Sequence, residues 1–201
     1  MGARRAAGSD AKLGVGADGA LATLAVHGRA LVPSAVPFEF RALRVDAQAN
    51  IVVCEDLIIS VLHDGATGEV YETMHEGRDL VRLEHPKVSL LSIVPGHPAK
   101  LGSAAGREAG KASLKRMETD LSAMALVIEA GSLASTLTRT IMNTMSLVTQ
   151  RRYGWKTFAN VPEAAVWLAP NSSSRLAPDD IVDVAERVRA LTEDEFRSRA
   201  L

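Results

Sequence analysis

The most chemically suggestive stretch of the sequence is the hydroxyl-rich run EAGSLASTLTRTIMNTM at residues 129–145. Ser132 stands where an apolar strand would end and a helix begin, so its hydroxyl can accept an N–H bond from the first helical turn. A phosphate attached there would meet the positive end of the helix dipole and free backbone N–H groups. The run therefore predicts a helix-capping serine, with Ser132 and Ser135 as candidate phosphorylation or docking residues.

A second stretch, AGREAGKAS at residues 105–113, has some features of a phosphate-binding loop. Such a loop needs a glycine, four residues, then Gly-Lys and a hydroxyl residue, because backbone N–H groups cradle the phosphates and the hydroxyl holds magnesium. Here Ala105 stands at the first glycine and Ala112 at the hydroxyl position. The pattern favours the start of a helix over a nucleotide site.

Cysteine and histidine are the other residue types that could supply a nucleophile or metal ligands. Cys54 lies in the apolar run IVVCED, where a cysteine is expected to pack as a small buried hydrophobe. The histidines show no HxxH or HExxH spacing, so we expect surface or capping roles for them and no metal site. They are His27, His63, His75, His85 and His97.

Three carboxylates fall near the ends of predicted strands: Asp56, Asp64 and Glu129. Strand ends are the usual location of sites in α/β folds, so a carboxylate pair for acid–base chemistry is one interpretation. A polar residue that simply ends an apolar strand is the other, and it is typical of any soluble domain.

These residues are positioned by a regular alternation of strand and helix patterns. Five apolar segments predict strands, and the second is long enough to bend or to form two strands. They are FRALRVD, NIVVCEDLIISVLHDG, KVSLLSIVP, AMALVIEAG and YGWKTFANV. The alternation predicts an α/β fold, with helices packed on a mixed sheet of about four to six strands.

The helices follow from 3.6-residue spacing and from their end signals. The first is predicted to be capped by Thr67 and to end at His85 and Pro86. A second carries apolar residues at helical spacing, namely Leu114, Met117 and Leu121. Further helices are predicted from Ser132 to about residue 148 and over PEAAVWLAP, where proline occupies the first turn.

The last predicted helix, DDIVDVAERVRALTEDEF, has one apolar stripe formed by Ile181, Val184, Val188 and Leu191. Such a stripe can pack on its own domain or on a second copy, so a homo-oligomer is one expectation. The predicted organisation is a poorly ordered or loosely paired segment at 1–39, an α/β domain at 40–170, and a linker with this C-terminal helix at 171–201.

The overall composition excludes several classes of protein. With 201 residues and 47% hydrophobic residues, the chain suits one domain with a sizeable core. The net charge of −1 and the lack of aromatics interleaved with Lys or Arg disfavour nucleic-acid binding. No apolar run reaches the roughly 18 to 20 residues of a membrane span, and we expect no signal peptide among the first residues. The single cysteine fits a reducing compartment, and we expect a cytoplasmic protein.

From about residue 50 to 169 the chain resembles STAS-type domains, particularly the SpoIIAA-like branch often described as STAS/SEC14. The resemblance rests on the strand DLIISVLHDG, the helix before HPKVSLLSIVP, the strand MALVIEAG and above all YGWKTFANVPEAAVWLAP. In anti-anti-sigma members of this family, a partner kinase phosphorylates a serine at the start of a helix, within an Asp-Ser-Ser-Gly-like pattern. The matching residues here are AGSL at 130–133, which lack the preceding Asp and the following Gly.

The resemblance implies a non-enzymatic regulatory protein-interaction module of STAS/SpoIIAA-like type that takes part in bacterial-type signalling. Its expected partner is a kinase or a signalling regulator, Ser132 is the candidate phospho-modulated residue, and no cofactor or catalytic residue is expected. The alternative is a small-molecule or lipid-binding domain with an apolar pocket between the sheet and the helix that contains Met142 and Met145. A third hypothesis, a hydrolase or transferase, requires polar groups that converge in a cleft.

Overall fold

The computed structural model describes residues 38–64, 66–96, 104–129, 152–173 and 175–199. Its centre is a six-stranded sheet in which the strands lie side by side in chain order. The first three strands pair antiparallel, and the third to the sixth pair parallel. The strands are β1 Arg41–Val45, β2 Ala49–Cys54, β3 Leu57–Leu62, β4 Val88–Val94, β5 Leu121–Ile128 and β6 Gly154–Phe158. The predicted α/β fold with a mixed sheet is therefore confirmed.

Helices cover both faces of the sheet. They are α1 Gly68–Val81, α2 Ala104–Met117, α3 Val161–Leu168, α4 Pro178–Arg189 and α5 Glu193–Arg199, with a short 3₁₀ turn over Ala169–Asn171. α1 and α2 pack together on one face, while α3 and α4 pack together on the other. Right-handed crossovers that step in one direction along a sheet leave their helices on the same face. This rule accounts for α1 between β3 and β4 and for α2 between β4 and β5.

The central parallel strands β3 and β4 are buried throughout because both of their faces are covered. All seven residues of β4 are buried, as are all six of β3. Neighbouring residues alternate between two cores: Ile58 and Leu90 face α1 and α2, whereas Ile59 and Leu91 face α3 and α4. A strand buried on both sides shows a continuous apolar run instead of an alternating pattern.

The long predicted strand NIVVCEDLIISVLHDG is two strands, which was one of the two interpretations. Cys54 of β2 pairs with Leu57 of β3, so Glu55 and Asp56 form a two-residue turn between them. Glu55 adopts a positive φ of 54° in this turn. The β2–β3 hairpin places Asp56 at the amino end of the parallel strands.

Two predicted features of the first helices are wrong. α1 ends at Val81 instead of at His85 and Pro86, because the chain continues through tight turns in which Glu84 N–H donates to the Val81 carbonyl at 3.1 Å. Leu121 is the first residue of β5 instead of a position on the helix before it. Thr67 is the N-cap residue of α1, as predicted, but its side chain makes no capping hydrogen bond.

The predicted C-terminal helix is also divided. α4 ends at Arg189, and Thr192 starts α5 through reciprocal bonds with Glu195: the Glu195 N–H donates to Thr192 Oγ1 at 3.4 Å, and the Thr192 N–H donates to Glu195 Oε2 at 3.2 Å. This is a capping box, a T-x-x-E signature that begins a new helix.

The apolar stripe of α4 packs on its own domain. Ile181, Val184 and Val188 are all fully buried against the sheet, so this stripe is not available to a second copy. No helix within the described ranges is long and apolar enough to cross a membrane.

Candidate functional site

The carboxyl ends of the parallel strands hold a close ion pair. Glu129 directly follows β5, and its N–H donates to the carbonyl of Val94 at 3.1 Å. Its carboxylate accepts two hydrogen bonds from Arg189 of α4, at 2.8 and 2.5 Å. Both side chains are 24% exposed, so the pair is bidentate and only partly shielded from water. Ligands of open α/β sheets bind at this end of the strands.

A buried asparagine fixes the helix that carries Arg189. Asn50 of β2 donates its side-chain N–H groups to the carbonyls of Val188 and Leu191, at 2.9 and 3.2 Å. These bonds tie the carbonyl groups at the end of α4 to β2, and the Val188 carbonyl also accepts the Leu191 N–H at 3.3 Å. The last turn of α4 is thereby held over the strand ends. We call Asn50, Glu129 and Arg189 the carboxyl-edge site.

The electrostatics of the site keep Arg189 charged. The hydrogen bonds that Arg189 donates to Glu129 raise the pKa of Arg189, and they outweigh the opposing effect of burial. Glu186 adds a second carboxylate at 3.5 Å from Nε. A cation at a helix C-terminus is also favoured by the helix dipole. A guanidinium held in this way presents a planar fork that fits a carboxylate or a phosphate.

The sequence-predicted candidates Ser132 and Ser135 lie outside the described residues, as do the predicted helix after them and its two methionines. The described chain stops at Glu129 and resumes at Arg152. Glu129, the first residue of the hydroxyl-rich run, is thus the part of that run that the structure describes. The position of Glu129 at a strand end predicts it as a candidate, whereas no local pattern predicts its partner Arg189, which lies 60 residues away in the chain.

The structure does not bring the three predicted carboxylates together. Asp64 follows β3 at the same edge as Glu129, whereas Asp56 lies at the opposite, amino end of the sheet. An acid–base pair of Asp56 with Glu129 is therefore excluded.

Asp56 instead belongs to a buried polar cluster. Its Oδ2 accepts hydrogen bonds from Ser173 N–H at 2.7 Å and from Ser89 Oγ at 3.2 Å, and the Ser89 hydroxyl lies 2.8 Å from that of Ser122. Asp56 is fully buried, and its Oδ1 has no partner among the residues that the structure describes. The cluster ties the starts of β4 and β5 to the segment before α4.

The histidines do not all follow the prediction. His63 and His85 are half-buried, but His75 is only 3% exposed between α1 and α2, where a surface or capping role was expected. Its Nε2 lies 3.2 Å from Oγ of Ser113. A serine beside a histidine can act as an activated nucleophile. Ser113 is itself 6% exposed, so a substrate cannot reach this pair.

The buried position of His75 is not predicted from the sequence, because the helical pattern of α1 comes from the neighbouring apolar residues. It directly follows Met74 on the buried side of α1, and a histidine beside an apolar stripe is the one clue available. His27 and His97 lie outside the described residues. Within the described ranges, no three His, Cys, Asp or Glu side chains are grouped so that they could hold a metal ion.

Cys54 packs as predicted. It is buried, and its Sγ lies 3.4 Å from the carbonyl oxygen of Glu39. Burial, together with the charge of Glu55, raises the pKa of the Cys54 thiol to about 11. The thiol therefore stays protonated at neutral pH, whereas a nucleophilic cysteine acts as the thiolate.

Comparison with known proteins adds no relative: no protein-family model matches the chain, and neither the curated proteins nor the solved structures give a match. The site is accordingly interpreted from its own geometry.

A cavity of about 290 Å³ lies at the other edge of the sheet, near the end of α1. Its lining combines charged and apolar side chains, among them Arg41, Glu55, Leu80 and Leu83. Leu83 is 80% exposed at this position. The cavity is separate from the carboxyl-edge site, because the end of α1 and the β2–β3 turn lie at the amino end of the parallel strands.

Proposed function

We propose that this chain is a non-enzymatic regulatory module that binds a protein partner through the carboxyl-edge site, with Ser132 as the residue that modulates docking. The observation that carries the proposal is the Glu129–Arg189 ion pair, which is partly exposed at the start of the hydroxyl-rich run. The resemblance to SpoIIAA-like proteins supports the same function, and we propose the STAS/SpoIIAA-like type as the finer description of the fold.

Accessibility favours the carboxyl edge over the other polar groups. Cys54, Asp56 and the His75–Ser113 pair are buried in the packed interior. Their hydrogen bonds join one element of the fold to another. The Glu129–Arg189 pair, in contrast, can be reached by a partner from solvent. A half-shielded bidentate ion pair can also exchange one carboxylate for another, or for a phosphate.

Chain geometry links the site to Ser132. Three residues of extended chain span at most about 10 Å, so Ser132 cannot lie far from Glu129. A phosphate would add about −1.5 to −2 charges, which would repel Glu129 and attract Arg189. Phosphorylation would therefore change the charge of the docking surface. A protein kinase is one expected partner, and a signalling regulator that recognises the modified surface is the other.

The test is co-purification of the tagged full chain from its native source. We expect a protein partner to be retained by the wild type, and Ser132→Asp to change its recovery by about fivefold or more. Ala112→Asp is the matched control, because Ala112 is exposed on α2, away from the strand ends, and gains the same charge. Equal recovery with Ser132→Asp and the wild type would rule out the modulation by charge.

A second experiment tests the phosphorylation itself. The chain is incubated with kinases from its own source, and phosphates are mapped by mass spectrometry. We expect phosphate at Ser132 or Ser135. The switch is wrong if both serines stay unmodified and aspartate at these positions leaves every interaction unchanged.

The alternative function, small-molecule or lipid binding, has one observation in its favour. The cavity of about 290 Å³ beside Leu83 is at the lower end of the range for ligand pockets. It is not the predicted pocket next to Met142 and Met145. Native mass spectrometry of the purified chain distinguishes the two functions, because a retained small molecule favours the ligand-binding module.

A further inference from the structure

α1 and α2 meet along a close-packed contact that contains a buried titratable ring. Small residues of α2 face larger ones of α1: a Cβ added at Gly110 would lie 2.6 Å from the hydroxyl oxygen of Tyr71. One turn further along α2, Ser113 faces His75 at 3.2 Å. We call these four residues, Tyr71, His75, Gly110 and Ser113, the α1–α2 seam.

The hydrogen bonds of His75 are complete only on one side of the ring. Nε2 has the Ser113 hydroxyl, which can donate to it or accept from it according to the tautomer. Nδ1 is buried and has no partner among the residues described. A neutral imidazole can leave Nδ1 as a bare acceptor. A protonated ring must donate from both nitrogens, so Nδ1–H would be a buried donor without an acceptor.

Charged groups around the ring do not compensate for the unpaired Nδ1–H of a protonated His75. Arg78 and Arg116 oppose a positive charge on His75, whereas Glu72 and Asp79 favour it. Each acid is already paired with an arginine: Asp79 lies 2.6 Å from Arg78, and Glu72 lies 3.2 Å from Arg116.

The balance of these effects lowers the pKa of His75. Burial is the main cause, followed by the charges of Arg116 and Arg78. Tyr71 does not titrate in acid, because a tyrosine hydroxyl loses its proton only in alkali, and burial raises its pKa further.

We propose that the α1–α2 seam is an acid-sensitive joint, in which protonation of His75 loosens α2 from α1 while the sheet and the opposite face stay folded. A ring exposed by opening regains water and titrates as an ordinary histidine, so the open seam binds a proton more readily than the closed one. Opening is therefore favoured as pH falls below about 6.5, the usual pKa of histidine, and the effect levels off below the lowered pKa of the closed seam. This joint is independent of the carboxyl-edge site.

Hydrogen exchange of the full chain at pH 7.5 and 5.5, corrected for the intrinsic exchange rates, tests the joint. We expect opening of α2 amides to rise by at least about threefold in acid, while amides of α4 on the opposite face keep their protection. His75→Gln keeps a hydrogen-bonding group but cannot titrate, so it should abolish the response. His85→Gln is the matched control, because it removes a half-buried histidine beyond the end of α1 and should leave the response intact. An unchanged α2, or an equal acid response in His75→Gln, would overturn the proposal.

A second measurement covers the case in which His75→Gln does not fold. The ring of His75 is titrated in the wild type by NMR, together with the α2 amides. We expect the ring to titrate below the usual histidine range and the α2 amide shifts to follow the same curve. A ring that titrates at or above the usual value, or α2 amides that do not follow it, would contradict the joint.

Discussion

Glu55 adopts a backbone conformation that is unfavourable for its residue type. It occupies the β2–β3 turn with a φ of 54°, a left-handed conformation in which the Cβ of an L residue approaches the following carbonyl oxygen. Glycine, asparagine and aspartate are the usual residues at such positions. The apolar pairing on either side of the turn holds the conformation, because Cys54 and Leu57 are both buried.

We expect Glu55→Gly to be more stable than Glu55→Ala by about 1 kcal/mol. Both variants remove the same side chain, and only glycine removes the steric cost of the positive φ. The free energy of unfolding, measured with urea for the two variants and the wild type, gives the difference. A Glu55→Ala variant as stable as Glu55→Gly would show that the turn is not strained.

Cys54 and His75 show which features of a single residue the local composition can predict. The prediction that Cys54 packs in the interior is confirmed, because burial follows from the apolar run at 51–53 that directly precedes it. His75 was expected at the surface, and that was wrong. Whether a lone polar residue on a helix faces solvent or another helix depends on the neighbouring element, which the local sequence does not contain.

Between elements, the α1–α2 seam depends on a glycine whose role is steric. Gly110 lies inside α2, where glycine usually lowers helix stability. Its missing side chain leaves room for Tyr71, whose ring carbon Cζ would be 3.0 Å from an added Cβ. Glycine occupies this helical position because the close approach of α1 leaves no room for a Cβ atom.

We expect Gly110→Ala to lower the free energy of unfolding by about 1 to 2 kcal/mol, although alanine is the better helix former. Gly68→Ala is the matched control: nothing lies within 4 Å of the added Cβ, so it should be neutral or stabilising by about 0.5 kcal/mol. In a Tyr71→Phe background, the cost of Gly110→Ala should fall, because the nearest clashing atom is absent. Equal effects of the two glycine substitutions on urea unfolding would contradict the steric role.

At the scale of the whole molecule, α4 completes the second face of the sheet. It contributes fully buried Ile181, Val184 and Val188 to the same core as β2 and β3. Burial of three such side chains stabilises a fold by about 5 kcal/mol or more, which is comparable to the total stability of a typical domain. The region from Pro178 to Arg189 is thus part of the core instead of an appendage.

We expect a chain that ends after Pro170 to lose cooperative unfolding, because the face of β2 and β3 would be uncovered. A chain that ends after Thr192 should keep it, because only α5 and the last residues are removed and the first three residues of α5 are exposed. Circular dichroism during thermal unfolding, with sizing of both chains, checks the outcome. A cooperative transition in the shorter chain would show that α4 is dispensable.

The sequence by itself determined the class of fold and the positions of its strands. Continuous apolar runs predict strands that are covered on both faces, and this pattern is local, so the predicted bounds of β4 and β5 are nearly correct. β6 is predicted as a strand although it has no such run, since Gly154 and Lys156 are exposed. The capping box of Thr192 and Glu195 is equally local and marks the break between α4 and α5, whereas the apolar stripe alone predicts one continuous helix.

Only the tertiary structure decided which side chains meet. Arg189 lies 60 residues from Glu129, and Asn50 lies 138 residues from the helix end that it caps. Their contacts follow from the order of the strands and from the faces that α3 and α4 cover. Neither feature can be predicted from one segment of the sequence alone. The period of a pattern indicates that a residue is buried, but the partner it is buried against depends on the packing of distant elements.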